Sequence, residues 1–188
     1  MTGASSEDAV GVVETFLSAN GRAFMDDDFS AFARHFRLPV QVETFAGVTE
    51  LRTEAALRQS YDGMRQHFAH SGVKEMLRMC VKAEFTGPDR IGSSHVTYLL
   101  DGTTRIEEPY LCTAVFEREK GDWKVSAMSF AVDDRLGHAG AILHGPVSPA
   151  GNRVGAQPPG HDGAPIDPEM DPEDALATVR IRRPKGGA

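Results

Sequence analysis

Cysteine is scarce in this sequence, and the motifs that bind common cofactors are missing. The only cysteines are Cys80 and Cys112, which lie too far apart to form a CxxC metal cluster or a disulfide framework. We interpret both as free thiols in the core. The chain also contains no GxGxxG fingerprint, no phosphate-binding loop and no GxSxG nucleophile motif. The sequence therefore predicts no cofactor and no metal.

An excess of positive charge is also missing. The formal net charge is −7, whereas nucleic acids and anionic membranes are bound by basic surfaces. The sequence has no apolar run of 18 or more residues, and its first ten residues, MTGASSEDAV, lack the pattern of a signal peptide. These observations predict a cytoplasmic protein that binds neither nucleic acid nor membrane.

Aromatic residues are absent from the last part of the chain. Every Phe, Tyr and Trp lies before residue 135, whereas eight of the 11 prolines and nine of the 19 glycines lie in 135–188. A segment of this composition buries too little apolar surface to offset the entropy lost on ordering. We predict one domain over residues 1–134, followed by a disordered Pro/Gly-rich tail over 135–188.

The predicted domain begins with helical patterns. Ser5 and Ser6 precede a helical spacing of Val10, Val13, Phe16 and Leu17, and Asp28 can cap a short second helix. Pro39 then marks a boundary, and VQVETF (40–45) is predicted to be a strand at a sheet edge. Thr53 is a candidate cap for a third helix that ends at Gly72.

After Gly72 the apolar period changes from 3.6 to 2. Residues 74–86, 90–100, 104–119 and 122–132 each read as a long strand, and turn residues separate them. The order of elements predicts an α+β fold in which three N-terminal helices pack in a strongly curved, mostly antiparallel β-sheet, a cone-shaped barrel.

This order of elements, with FRLPVQVETF, TEAALRQSYDGM and FEREKGDWKVSAMSF at matching places, resembles the nuclear transport factor 2-like (NTF2-like) superfamily over residues 8–134. The superfamily, with its cystatin-like α+β cone fold, includes SnoaL-like polyketide cyclases, ketosteroid isomerases and scytalone dehydratases. The resemblance implies a conical pocket and a homodimer. It does not fix a function, because one fold hosts many functions.

The resemblance also indicates where catalytic acids would be expected. Thr44 stands where a ketosteroid isomerase has its first aspartate, and the second acid falls near Val115. Thr44 cannot take a proton from carbon, and Val115 cannot donate a hydrogen bond to the developing oxyanion, so the isomerase mechanism is not expected. Glu43 would turn into the pocket only if the strand register slipped by one residue, which the alternation of Val40 and Val42 disfavours.

His95 is the candidate catalytic residue that remains, because an imidazole can act as a general base near neutral pH. A structural histidine on the sheet is the alternative. His67 and His70 are not expected to bind a metal, because no third ligand accompanies them, and Glu107 is expected to be solvated. The other predicted pocket residues are Thr44, Val42, Tyr110, Val115, Met128 and Phe130.

Three functions stay open at the level of the sequence. The first is an enzyme of the cyclase, isomerase or dehydratase type acting on an apolar substrate. The second is a noncatalytic module that binds a small apolar ligand, and the third is a docking or scaffold protein. A set of paired ionisable groups in the cone would favour the first.

Overall fold

The computed structural model describes residues 6–132 and 137–145. The predicted tail beyond residue 145 lies outside the described residues. The elements in chain order are α1 (Ser6–Met25), α2 (Phe29–Ala33), β1 (Phe36–Thr44), β2 (Gly47–Leu51), α3 (Glu54–Ser71), β3 (Glu75–Gly87), β4 (Arg90–Asp101), β5 (Thr104–Arg105), β6 (Tyr110–Glu119), β7 (Asp122–Phe130) and α4 (His138–His144). The predicted α+β class is confirmed.

The helix boundaries follow the predicted capping residues. The Asp28 carboxylate accepts a hydrogen bond from the Ala31 amide at 2.9 Å, and the Thr53 hydroxyl oxygen accepts one from the Ala56 amide at 3.2 Å. Gly72 ends α3 with a φ of 77°, a left-handed conformation that glycine adopts without steric cost. These caps fix where α2 and α3 start and where α3 turns into the sheet.

The strands form one curved sheet in the order β2-β1-β7-β6-β4-β3, with β5 paired to β4. The β1–β7 pair is parallel and the other pairs are antiparallel. The two ends of this order, β2 and β3, are not paired to each other among the described strands, so the sheet is open rather than a closed barrel. α1 packs on β3, and α3 packs on α4.

Strand β1 begins earlier than predicted, at Phe36 instead of after Pro39. Its pairing with β7 is interrupted between Phe36 and Gln41. Pro39 lies in this interruption, where the missing N–H of a proline removes no ladder hydrogen bond to β7. The proline therefore marks an irregularity within the strand and not its start.

The predicted strand over residues 104–119 is divided into β5 and β6. Residues 106–109 between them are not in strand conformation, and Pro109 directly precedes β6. The break places Glu107 in a loop at the end of the sheet, from which its side chain points inward.

Helix α4 corrects the prediction that the ordered domain ends at residue 134. Its side chains are well buried: Ile142 is 2% exposed and Leu143 8%. Gly63 on α3 allows this close packing, because a Cβ at that position would lie 2.5 Å from the Ala141 carbonyl oxygen. The prediction failed because the composition was averaged over residues 135–188, and the short apolar stretch of α4 contributes little to that average. No helix among the described residues is long and apolar enough to span a membrane.

Candidate functional site

The concave face of the sheet and the helices enclose a cavity of about 70 Å³. Most of its wall is aromatic or aliphatic, contributed by α1, α2, α3, the sheet and α4. Ile142 of α4 forms part of this wall. The polar residues of the lining are Asn20, Ser60, Tyr61, Arg78, His95, Thr97 and Tyr110.

Arg78 provides a positive charge in this mainly apolar wall. Its guanidinium donates hydrogen bonds to the Asn20 side-chain oxygen at 3.2 Å and to the Leu17 carbonyl oxygen. Among the described residues it forms no ion pair. Burial lowers the pKa of Arg78 to about 10, so the group stays cationic at neutral pH. A cation that is hydrogen-bonded but not charge-compensated favours an anionic or strongly polar ligand atom.

A glycine on α1 makes room for this guanidinium. A Cβ at Gly21 would lie 2.9 Å from the Arg78 Nη2 atom, which is closer than real Cβ contacts. A larger residue at position 21 would therefore require the end of the Arg78 side chain to shift.

His95 lines the same cavity from β4. The residue is 6% exposed, and its Nδ1 atom has no hydrogen-bond partner among the described residues. Burial, with a contribution from the positive charge of Arg78, lowers the pKa of His95 to about 3. The imidazole is therefore neutral at physiological pH and is a weak base. It can donate or accept a hydrogen bond to a ligand.

The sheet contributes two hydroxyl groups to the lining, those of Thr97 and Tyr110. Thr97 lies two residues beyond His95 on the same face of β4, and its hydroxyl is 3.7 Å from the Cys112 sulfur. Tyr110 is 6% exposed, and burial raises the pKa of its phenol well above the usual value. Tyr110 is therefore a neutral hydrogen-bond donor. Both cysteines are free.

The structure brings five of the seven predicted site residues to the cavity. Those in its lining are His95, Val42, Tyr110, Met128 and Phe130. Thr44 and Val115 are buried but are not in the lining.

Thr44 caps the turn between β1 and β2 through its hydroxyl oxygen, which accepts a hydrogen bond from the Ala46 amide at 3.1 Å. Val115 follows Ala114 on β6, so its side chain points to the other face of the sheet. Glu43 does not line the cavity either; its carboxylate accepts a hydrogen bond from the Ser129 hydroxyl at 2.8 Å.

A second group of ionisable residues, the His67–Glu107–His138 cluster, lies where α3, the β5–β6 loop and α4 meet. The His67 Nε2 atom is 2.7 Å from one Glu107 carboxylate oxygen, and the His138 Nδ1 atom is 3.0 Å from the other. The two imidazole rings stack with centroids 4.8 Å apart. All three side chains are buried.

Glu107 is ionised in this cluster. Burial alone raises the pKa of its carboxyl group, but the hydrogen bonds and charges of His138 and His67 outweigh that effect and lower the pKa to about 2. The expectation that Glu107 is solvated was therefore wrong. The His138 ring also packs edge-on against the Tyr110 ring at 5.1 Å, which places the cluster next to the cavity wall.

Arg78, Glu107 and His138 were not among the predicted site residues. The three members of the cluster are far apart in the chain, so no short motif contains them. His67 hydrogen-bonds to Glu107 of the β5–β6 loop and stacks on His138 of α4, whereas the neighbouring His70 is exposed.

No model of a known protein family and no curated protein matches this chain. Solved structures do match it. Aln2 from a Streptomyces species is 17% identical, with a TM-score of 0.55 over 73% of this chain and 99% of Aln2. A cystatin-like protein of unknown function from Nostoc punctiforme is 13% identical, with a TM-score of 0.55 over 72% of this chain and 98% of the other.

A third similar structure, from Streptomyces avermitilis, is provisionally assigned as a dehydratase of the NTF2-like family. It is 15% identical, with a TM-score of 0.52 over 69% of this chain and 99% of its own. At these identities the likeness concerns the fold. The chain has the NTF2-like, cystatin-like fold, and the resemblance seen in the sequence is confirmed at that level.

Proposed function

We propose that this chain, which has the NTF2-like fold, binds a small apolar molecule that carries one carbonyl or carboxylate oxygen. Arg78 holds that oxygen, with His95 and Tyr110 as neutral hydrogen-bonding groups beside it. The apolar remainder of the ligand contacts the aromatic and aliphatic wall. The observation that carries the proposal is the Arg78 guanidinium, which lines an apolar cavity and forms no ion pair with any described residue.

The register of β3 supports a function for Arg78. Strand residues alternate between the two faces of the sheet, and the exposed set in the first part of β3 is Glu75, Leu77, Met79 and Val81. Its three apolar members are exposed at 45%, 54% and 56%, whereas the set that contains Arg78 faces the cavity. If burial of apolar side chains alone decided the register, Leu77, Met79 and Val81 would face the core and Arg78 would face solvent. An exception to this burial rule is expected at a functional site.

The size of the cavity limits the ligand. A cavity of about 70 Å³ is well below the ~300 Å³ at which ordinary ligand pockets begin. A short-chain acid or ketone is therefore the size class that fits while α4 is in place. Because Ile142 forms part of the wall, a larger ligand requires α4 to move.

A titration with butanoate followed by NMR chemical shifts tests the proposal. We expect saturable shifts of cavity residues in the wild type. The affinity should fall about tenfold or more in Arg78→Met, because a hydrogen bond to a charged group is lost. Arg78→Lys, which keeps the charge, should retain part of the affinity.

The control variant is Arg52→Met, which removes an exposed arginine that pairs with Glu50; it should bind butanoate like the wild type. Butan-1-ol, which has a chain of the same length without the carboxylate, should bind the wild type and Arg78→Met equally. Equal butanoate affinity in the wild type and a folded Arg78→Met would contradict the proposal.

A second candidate function is an enzyme of the dehydratase, isomerase or cyclase type. It is favoured by His95 beside Arg78 in the cavity and by the provisional assignment of the Streptomyces avermitilis protein. In such a reaction Arg78 would stabilise a developing oxyanion. The described lining contains no carboxylate, so proton transfer would fall to His95, whose low pKa makes it a weak base. Binding without catalysis is therefore the better-supported function.

The exposed apolar set of β3 also supports the expected homodimer. β3 is an edge of the sheet, and a cluster of exposed apolar side chains is typical of a protein interface. In a symmetric dimer, the exposed apolar side chains of β3 in each copy would cover those of the other. The scaffold and docking functions would use this same surface.

Size-exclusion chromatography with light scattering tests the homodimer. The wild type should have the mass of a dimer, and Met79→Lys should be a monomer, because the interface would have to bury an unpaired charge. Thr104→Lys adds the same charge at an exposed position on β5 and should remain dimeric. A monomeric wild type, or a dimeric Met79→Lys, would exclude this face as the interface.

A further inference from the structure

We propose that the His67–Glu107–His138 cluster is a binding site for a divalent transition metal, with Zn²⁺ as the ion that suits it best. This metal site is separate from the site of the proposed ligand, and the ion could be bound while the cavity is empty.

The donor set of the cluster suits Zn²⁺. Two imidazole nitrogens and one carboxylate are the ligands of a common class of zinc site, in which a fourth position stays open for water. One donor atom from each side chain lies within 4.8 Å of the other two. Imidazole and carboxylate donors together also exclude a site built for Ca²⁺ or Mg²⁺, which prefer oxygen alone.

The two rings approach one carboxylate. The His67 Nε2 and His138 Nδ1 atoms point at different oxygens of Glu107, at 2.7 Å and 3.0 Å. A metal with bond lengths of ~2.0–2.2 Å can enter between these atoms after small side-chain movements, because all three donors already converge.

Metal binding displaces the protons that lie between the two rings and Glu107. Without metal, the His67 Nε2 and His138 Nδ1 atoms each donate an N–H to the Glu107 carboxylate. With metal, those two nitrogens supply lone pairs, so each proton leaves for the other nitrogen of its ring or for solvent. The Glu107 carboxylate offsets one of the two positive charges of the ion.

The three ligands come from three elements, which gives the metal a consequence for the fold. His67 lies on α3, Glu107 in the β5–β6 loop and His138 at the first position of α4. A bound ion would therefore hold α4 against α3 and keep Ile142 in the cavity wall. Metal binding and access to the cavity would be linked through α4.

The test uses the full chain after treatment with a chelator. Titration with Co²⁺ should give visible absorption bands of a four-coordinate site that saturate at one equivalent. Zn²⁺ should displace the Co²⁺ and raise the melting temperature, because an ion that binds only the folded state stabilises it. His70→Gln, a change at an exposed histidine on the same helix, should behave like the wild type.

Glu107→Gln and His138→Gln should each weaken Co²⁺ binding at least tenfold and remove most of the increase in melting temperature with Zn²⁺. Two variants are used so that a folding defect in one of them does not decide the outcome. No absorption and no stabilisation in the wild type would overturn the proposal. Wild-type affinity in both variants would do the same, because the ion would then bind elsewhere.

Discussion

Changing Gly63 to alanine should lower the free energy of unfolding by about 3 kcal/mol, because the added methyl group has no space. A Cβ at this position would lie 2.5 Å from the Ala141 carbonyl oxygen and 2.6 Å from the Gly145 Cα. These are backbone atoms of the α4 region, so they cannot move away as a flexible side chain could. α4 would have to separate from α3 and expose the buried Ile142 and Leu143.

The same substitution at Gly11 is the matched control. Gly11 lies on α1 and is exposed, and an added Cβ would meet no atom within 4 Å. Gly11→Ala should therefore stabilise the protein by about 0.5–1 kcal/mol, since alanine is the better helix former.

Urea denaturation measures both effects. Hydrogen exchange of residues 138–144 shows in addition whether α4 has detached. If Gly63→Ala proved as stable as Gly11→Ala, α4 would not pack on α3 as described. Ile142 of α4 would then not form part of the cavity wall.

Acidification should destabilise the protein through His95. The pKa of His95 is about 3 in the folded chain, below its ordinary value of 6.5, because of burial and the charge of Arg78. Between these two pH values the unfolded chain binds a proton that the folded chain does not. The contribution of His95 to stability is therefore fully present above pH 6.5 and is lost as the pH falls towards 3, by about 1.4 kcal/mol per pH unit.

The measurement compares the wild type with His95→Gln between pH 6.5 and 5. This range lies above pH 4.5, the ordinary pKa of the Glu107 carboxyl group, and Glu107 affects the pH dependence of stability only below that value. The pKa of His35 is also lowered by burial, but this residue titrates in both proteins and cancels in the difference. The wild type should lose about 2 kcal/mol more than His95→Gln over the interval.

The variant His70→Gln controls for removal of a histidine, because it changes an exposed residue of α3 that does not line the cavity. The neighbours of His95 across the sheet are Cys80 and Cys112, and the pKa of each thiol is raised by burial, so neither titrates in this range. Equal slopes in the wild type and His95→Gln would mean that the imidazole is solvated and does not line a dry cavity.

The sequence was sufficient to predict the class of fold because its local patterns agree with its tertiary structure. The caps at Asp28 and Thr53 and the glycine after α3 act over a few residues, and each one is formed as expected. The change from helical to strand periodicity after Gly72 is also a local property. These features do not depend on which distant residues come together.

The site could be predicted only in part, because its key contacts are not local. His95 and Tyr110 could be selected from their strand patterns, but the inward register of Arg78 could not. Both faces of β3 carry apolar residues, so alternation alone favours the wrong one. The His67–Glu107–His138 cluster depends on the packing of α4, and a composition averaged over the final third of the chain could not reveal a helix of seven residues.

A crystal structure of the full chain soaked with butanoate would show whether Arg78 binds the ligand. One butanoate should lie in the cavity, with its carboxylate within hydrogen-bond distance of the Arg78 guanidinium and its alkyl chain against the apolar wall. The proposal that Arg78 holds the oxygen of a ligand would be contradicted by a cavity that contains only water at saturating butanoate. A carboxylate bound away from Arg78 would contradict it as well.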